Sequence, residues 1–203
     1  MKQFTSLLAF VLLSSLGSRA QHFILGAELS NSATTSIADI DSVIPKVARA
    51  GINTVLVPAQ WDLIEPREGV FDFSTIDEII RVARREKLKV ILLWFGAWKN
   101  SMSCYAPLWF KQDKRFPRAM TAEGKPLEIA TAFSEAVFQA DNKAFMALIH
   151  HLKAVDTDHT VLMIQVENEI GMLESARDHS PLANREYDKG AWRKELKSIG
   201  FTA

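Results

Sequence analysis

Residues Thr160 to Gly171, Thr-Val-Leu-Met-Ile-Gln-Val-Glu-Asn-Glu-Ile-Gly, constrain the fold of this 203-residue chain more than any other stretch. The stretch opens on Val161, Leu162, Met163 and Ile164, a short apolar run with little alternation and a share of β-branched residues. A parallel strand covered on both faces reads this way. The run then breaks into Gln165, Glu167, Asn168 and Glu169. Carboxylates and carboxamides are costly to bury, so a strand that ends in them is either delivering a site or passing into a charged loop. In a (β/α) barrel the chemistry sits at the C-terminal ends of the strands.

The same order recurs along the chain. His22 to Leu25 is a short apolar run followed by Gly26 and Glu28. Asn53 to Pro58 is a second run, followed by Gln60 and Trp61. Leu88 to Trp94 is a third, followed by Phe95, Gly96, Ala97, Trp98, Lys99 and Asn100. Helical patterns lie between these runs. One starts at Asp41 as N-cap, carries Ile44, Val47 and Ala48 on one face and closes on Gly51. Ile76 to Lys87 is amphipathic, with Ser74 as cap, Ile76, Ile79, Ile80 and Ala83 inward and Arg81, Arg84, Arg85 and Glu86 outward. A third is capped by Asp141 and runs through Phe145, Leu148, Ile149 and Leu152; Tyr187 to Lys197 reads as a fourth. Strand, polar or aromatic loop and helix in series make a βαβ fold. The expected class is α/β, a partial TIM (β/α)8 barrel holding about the first four βα units. A whole barrel takes roughly 250 residues, so residues 21–203 are expected to be the N-terminal portion of such a domain. The architectural alternative is a small doubly wound domain, but no Gly-rich phosphate loop follows any of the strands.

Met1 to Ala20 has the order of a secretory signal peptide: Lys2, an apolar core from Phe4 to Leu16, and small Ser18 and Ala20 before a cleavage point. Secreted or periplasmic localisation is the expectation. The formal net charge is zero and like charges do not cluster, which speaks against a nucleic-acid partner; no membrane association is expected once the signal is removed. The single cysteine, Cys104, allows no internal disulfide. His150 and His151 are expected on an exposed helix face, and neither a metal nor an organic cofactor is expected. Residues 101–140 are long for a loop and rich in aromatic and basic side chains, as a wall around a cleft would be.

The Gln-Val-Glu-Asn-Glu-Ile-Gly segment resembles the fourth-strand motif of glycoside hydrolase family 35, the β-galactosidases of the retaining clan A. The resemblance implies that Glu169 is the general acid/base, that Asn168 contacts the sugar 2-hydroxyl and that Glu167 lines the galactose site. Ile170 stands where the family usually has an aromatic residue. The segment Gln60 to Ser74, with Trp61, Glu65-Pro66, Gly69 and Phe71-Asp72-Phe73-Ser74, is similar to the loop after the family's second strand. Trp61 is expected on the sugar side of that loop, while Glu65 is expected to hold the loop together. Trp94 and Trp98 close the third strand. Many members have a Glu-Trp pair where this chain has Ala97-Trp98, and Asn100 is the expected substitute for the missing carboxylate. The implied substrate is a β-galactoside in an oligo- or polysaccharide. The implied nucleophile is a Glu at the end of a seventh strand, and no residue of this chain is assigned that role. A non-catalytic carbohydrate-binding remnant, and another clan A activity such as a β-glucanase or mannanase, stay open at this point.

Overall fold

The computed structural model describes residues 23–100, 104–169 and 175–200; the signal peptide expected over residues 1–20 lies outside them. Six strands are present among the described residues: β1 (Gly26–Glu28), β2 (Thr54–Gln60), β3 (Lys89–Phe95), β4 (Arg118–Met120), β5 (Pro126–Ala130) and β6 (Val161–Val166). The helices are α1 (Ile37–Arg49), α2 (Trp61–Ile64), α3 (Ser74–Arg85), α4 (Leu108–Gln112), α5 (Glu135–Val155), α6 (Pro181–Lys189) and α7 (Ala191–Ser198). Strands β1, β2, β3 and β6 form one parallel sheet in that order, and β4 pairs with β5 in a separate antiparallel hairpin. Helices α1, α3 and α5 are the crossovers. The chain is thus part of a (β/α)8 barrel, with four strands of the barrel wall in sequential order.

The core lies between the sheet and these helices. Register places Val57, Leu92 and Ile164 in one row and Ala59, Trp94 and Val166 in the next. Val57, Leu92 and Trp94 are fully buried, packed with Ile40, Ile44, Ile76, Ile79 and Leu148 of the helices. The apolar stripe expected on α3 is therefore the face it buries. Arg84, expected on the solvated face, is half-buried instead: it ion-pairs with Asp156 at 2.8 Å and donates to the Thr160 hydroxyl at 2.9 Å. Asp156 in turn accepts from the backbone N–H groups of Thr160 and Val161. This knot fixes where β6 begins.

Several boundaries differ from the sequence reading. The first strand begins at Gly26, after the apolar run rather than within it. Helix α1 begins at Ile37; Ser36, not Asp41, caps it by accepting from the Asp39 N–H. Asp41 instead pairs with Arg81 at 3.0 Å. Gly51 does follow α1 in the left-handed conformation, φ 86°. Ser74 is the first residue of α3 rather than its cap, and the Asp72 carboxylate accepts from the Ser74 N–H. Helix α5 is capped by Ser134, so Asp141 lies inside it, two turns from its start. Residues 187–197 form two helices, parted at Gly190 (φ 66°). The long segment before α5 folds as α4 and the β4–β5 hairpin, and its aromatics turn inward: Phe110 and Trp109 pack on Trp61 at ring distances of 4.8 and 5.8 Å, and Phe116 stacks on Phe110 at 4.2 Å.

Strand β6 departs most from its sequence pattern. Its apolar run reads as covered on both faces, yet Leu162, Met163 and Val166 are exposed. Among the described residues β6 pairs with β3 alone, so it is the sheet's edge. A register shift between Val90 and Ile91 also makes Leu162 an extra residue against β3, a bulge that resets the alternation of the strand's last residues.

Candidate active site

Two loops and a helix meet at the C-terminal ends of the parallel strands. The loop after β3 carries Gly96, Ala97, Trp98 and Asn100. Residues after β6 carry Glu167, Asn168 and Glu169. The first half of α5 brings Asp141 between them.

Asp141 anchors the arrangement. Its Oδ1 accepts from the Trp94 indole N–H at 2.8 Å, and its Oδ2 accepts from the Ala97 N–H at 2.7 Å. The approach is so close that a Cβ on Gly96 would stand 2.5 Å from both carboxylate oxygens. Only glycine leaves room there. Glu167 lies against the same carboxylate. Alternation from Val166 would turn Glu167 to the face opposite the helices, but its backbone is left-handed, φ 58°, and its carboxyl is turned to Asp141 on α5. Burial and the adjoining Asp141 charge push the Glu167 carboxyl up to about 10, against the opposing pull of the Trp98 and Gly96 N–H groups. The upward shift favours the protonated Glu167, whose carboxyl can then donate to Asp141, while its Oε2 accepts from the Trp98 N–H at 3.2 Å.

The next two residues face differently. Gln165 donates to the Asn168 side-chain oxygen at 2.8 Å and to the Glu167 carbonyl at 3.1 Å, which orients the Asn168 carboxamide. Glu169 is exposed, and its backbone carbonyl accepts from the Trp98 indole at 2.7 Å. Trp98 thus ties the loop after β3 to the loop after β6 through both its backbone and its ring. Asn100 follows on the same loop, half-buried.

The structure brings together five of the residues picked out in the sequence: Trp94, Trp98, Glu167, Asn168 and Glu169. It does not bring Trp61 to them as a sugar-facing ring. Trp61 is fully buried, and its indole donates to Glu65 at 2.7 Å. Trp94 is also fully buried and lies on the helix side of the sheet, with Phe145 at 5.6 Å, so its ring supports Asp141. Glu65 holds its loop, as expected: it accepts from Trp61 and, at 2.7 Å, from the Gly69 N–H, with Gly69 at φ 76°. The sequence reading missed Asp141 by making it a helix cap. The available signal was an acidic residue in a helix opposite a Gly-Ala pair at a strand end.

A cavity of about 370 Å³ opens beside the pair, walled by Trp94, Trp98, Val137, Phe138, Phe145 and Val166, with Asp141 and Glu167 as its acidic side. Cys104 is buried, and burial pushes its thiol up to about 11, so it is inert as a nucleophile.

Asn168 and Glu169 thus stand beyond the end of the fourth strand of the parallel sheet. A family model described as β-galactosidase, that of glycoside hydrolase family 42, matches residues 34–198. This chain belongs to that β-galactosidase family. The match carries the β-galactosidase reading rather than family 35 in particular. A β-galactosidase of Xanthomonas manihotis is 28% identical over 166 residues, covering 75% of this chain and 25% of the relative. The chain thus spans about a quarter of that relative's length. Among solved structures, a polyextremophilic β-galactosidase from the Antarctic haloarchaeon Halorubrum lacusprofundi superposes with a TM-score of 0.59 at 17% identity, covering 87% of this chain and 26% of that one. The exo-β-1,4-mannosidase Op5Man5 from Opitutaceae bacterium strain TAV5 superposes with a TM-score of 0.53 at 20% identity, covering 74% and 26%. At these identities the structural likeness speaks for the barrel fold of the family member described here.

Proposed function

We propose that this chain carries the acid/base half of a retaining β-galactosidase that removes terminal β-D-galactosyl residues from oligo- or polysaccharides. Glu169 is the general acid/base and Asn168 the residue beside it on the sugar. The observation that carries the reading is the contrast between the two carboxyls after β6. Glu167 is turned to Asp141 and held at a pKa far above the working range of a general acid. Glu169 is open to solvent with its backbone clamped by Trp98. A retaining mechanism needs a second carboxyl about 5–5.5 Å from the first, which attacks the anomeric carbon. In this proposal that nucleophile comes from chain beyond these residues, and the active protein is a longer one. The choice of galactose rests on the family; kinship with family 35 specifically rests on the Glu-Asn-Glu order and the Gln60 to Ser74 segment. Export rests on the order of residues 1–20, and N-terminal sequencing of the exported protein is expected to begin at Gln21.

The experiment is Glu169→Gln in the full-length gene product. It keeps the shape and removes the titratable proton. Cleavage of galactosides with poor leaving groups should collapse, because their departure depends on protonation. An activated aryl galactoside should still form the glycosyl-enzyme, which then accumulates for want of a base. Azide needs no base and should restore turnover, giving the β-galactosyl azide after two inversions. Equal loss on both substrate types, with no effect of azide, would show that Glu169 is not the acid/base.

A further inference from the structure

We propose that Asp141 and Glu167 act together as a positioning pair, a carboxylate and a carboxylic acid sharing one proton, that sets how Asn168 and Glu169 are presented; the proposal rests on the reading of Glu169 given above. The first support is connectivity. Asp141 accepts from Trp94 and Ala97, and Glu167 accepts from Trp98, so the pair joins β3, its following loop, α5 and the end of β6. The second is backbone geometry. Glu167 adopts φ 58°, a left-handed conformation that is unfavourable for a non-glycine residue and persists where its surroundings hold it. Turning the Glu167 side chain to α5 fixes the direction in which the chain leaves β6, and Asn168 and Glu169 are the next two residues. The third is space. Gly96 has no Cβ, and any Cβ would drive the Asp141 carboxylate away.

Proton sharing follows from the charges present. Asp141 is the charged group that faces Glu167 from α5, and the loop after β3 presents the N–H groups of Gly96 and Trp98. Two ionised carboxylates in this setting would repel. One proton between them turns the repulsion into a hydrogen bond, with Glu167 donating and Asp141 accepting.

The pair touches neither the leaving oxygen nor the anomeric carbon in this scheme, so its loss should act through Glu169. The test compares Glu167→Gln, Glu167→Ala and Asp141→Asn in the full-length gene product. The Gln amide still donates to Asp141 and accepts from the Trp98 N–H. Glu167→Gln should lose less than about tenfold in kcat. Glu167→Ala and Asp141→Asn should lose on the order of a hundredfold, as misplacement by about 1 Å does, with KM little changed and with poor leaving groups affected most. A direct readout that does not depend on activity is the carboxyl ¹³C shift of Glu167, which should stay at its protonated position through neutral pH in the parent. To keep that arm decisive, Asp141→Ala is measured as well: the Glu167 carboxyl should then titrate at lower pH than in the parent. Glu167→Gln as damaging as Glu167→Ala, or a Glu167 carboxyl already ionised at neutral pH in the parent, would overturn the pair. Failure of azide to rescue Glu169→Gln would overturn the assignment of Glu169 while leaving the ¹³C result standing, so the two readings fail separately.

Discussion

The exits of β2 and β6 look alike in sequence and differ in the folded chain. Each parallel strand runs into a Trp or Glu within a few residues: Trp61 and Glu65 after β2, Glu167 and Glu169 after β6. After β2 the two groups close on each other. Glu65 is 1% exposed and accepts from the Trp61 indole and the Gly69 N–H, and Trp109 donates to its carbonyl at 2.9 Å. After β6 one carboxyl is drawn in by Asp141 and the other is left outside. A carboxylate at a strand end is therefore no mark of chemistry by itself. What separates a holder from a reacting group is whether buried donors or acceptors already claim it.

The contrast can be broken most severely at Glu65. Glu65→Ala leaves the Trp61 and Gly69 N–H groups buried without an acceptor. Unsatisfied buried donors cost about 1–3 kcal/mol each, so a loss of roughly 2–4 kcal/mol is expected, read as a lower urea midpoint at unchanged m-value. An unchanged midpoint would mean that the loop after β2 is as open as the one after β6.

A smaller effect per pH unit is expected at Glu167. Its folded-state pKa is about 10, above the ordinary 4.5 of the unfolded chain. Between those values the folded protein holds a proton that the unfolded chain releases, so stability falls as pH rises through that window, by up to about 1.4 kcal/mol per pH unit for one proton. Below the window both states are protonated and Glu167 adds no slope. Glu167→Gln should remove this contribution and flatten the dependence, measured as urea midpoints at about pH 6 and about pH 8 for both proteins. Parallel slopes in the two would show that Glu167 is ionised in the fold.

The smallest effect sharpens the comparison from the other side. Glu169 is exposed, and only its backbone is engaged by Trp98. Glu169→Gln should change stability by less than about 0.5 kcal/mol, as surface substitutions do, while on the proposed assignment it removes the acid/base. A large loss of stability would place Glu169 among the holders with Glu65.

The order of the parallel strands and their crossover helices was legible in the sequence. The four apolar runs, the amphipathic stripe of α3 and the glycine after α1 all follow from local periodicity and turn chemistry, and short runs joined by helical crossovers leave a parallel sheet as the consistent arrangement. The motif at the end of β6 was legible because the change from apolar to polar residues marks where the strand ends. Cap positions were less so. Ser36 and Ser134 compete with Asp41 and Asp141 on residue type alone, and only the path of the chain chooses between them.

Sequence by itself thus determined that this is a strand–helix series with Asn168 and Glu169 at the end of its fourth barrel strand. Tertiary structure decided which aromatic rings and carboxyls stay open. Trp61 and Trp94 are buried by α4 and α5, segments distant in sequence. Glu167 is turned by a left-handed backbone to a carboxylate on α5, and β6 is left exposed because it pairs on one side only among the described residues. Periodicity reports which face of an element is apolar. The occupant of the space opposite that face belongs to another part of the chain, and burial, proton sharing and access to solvent depend on it.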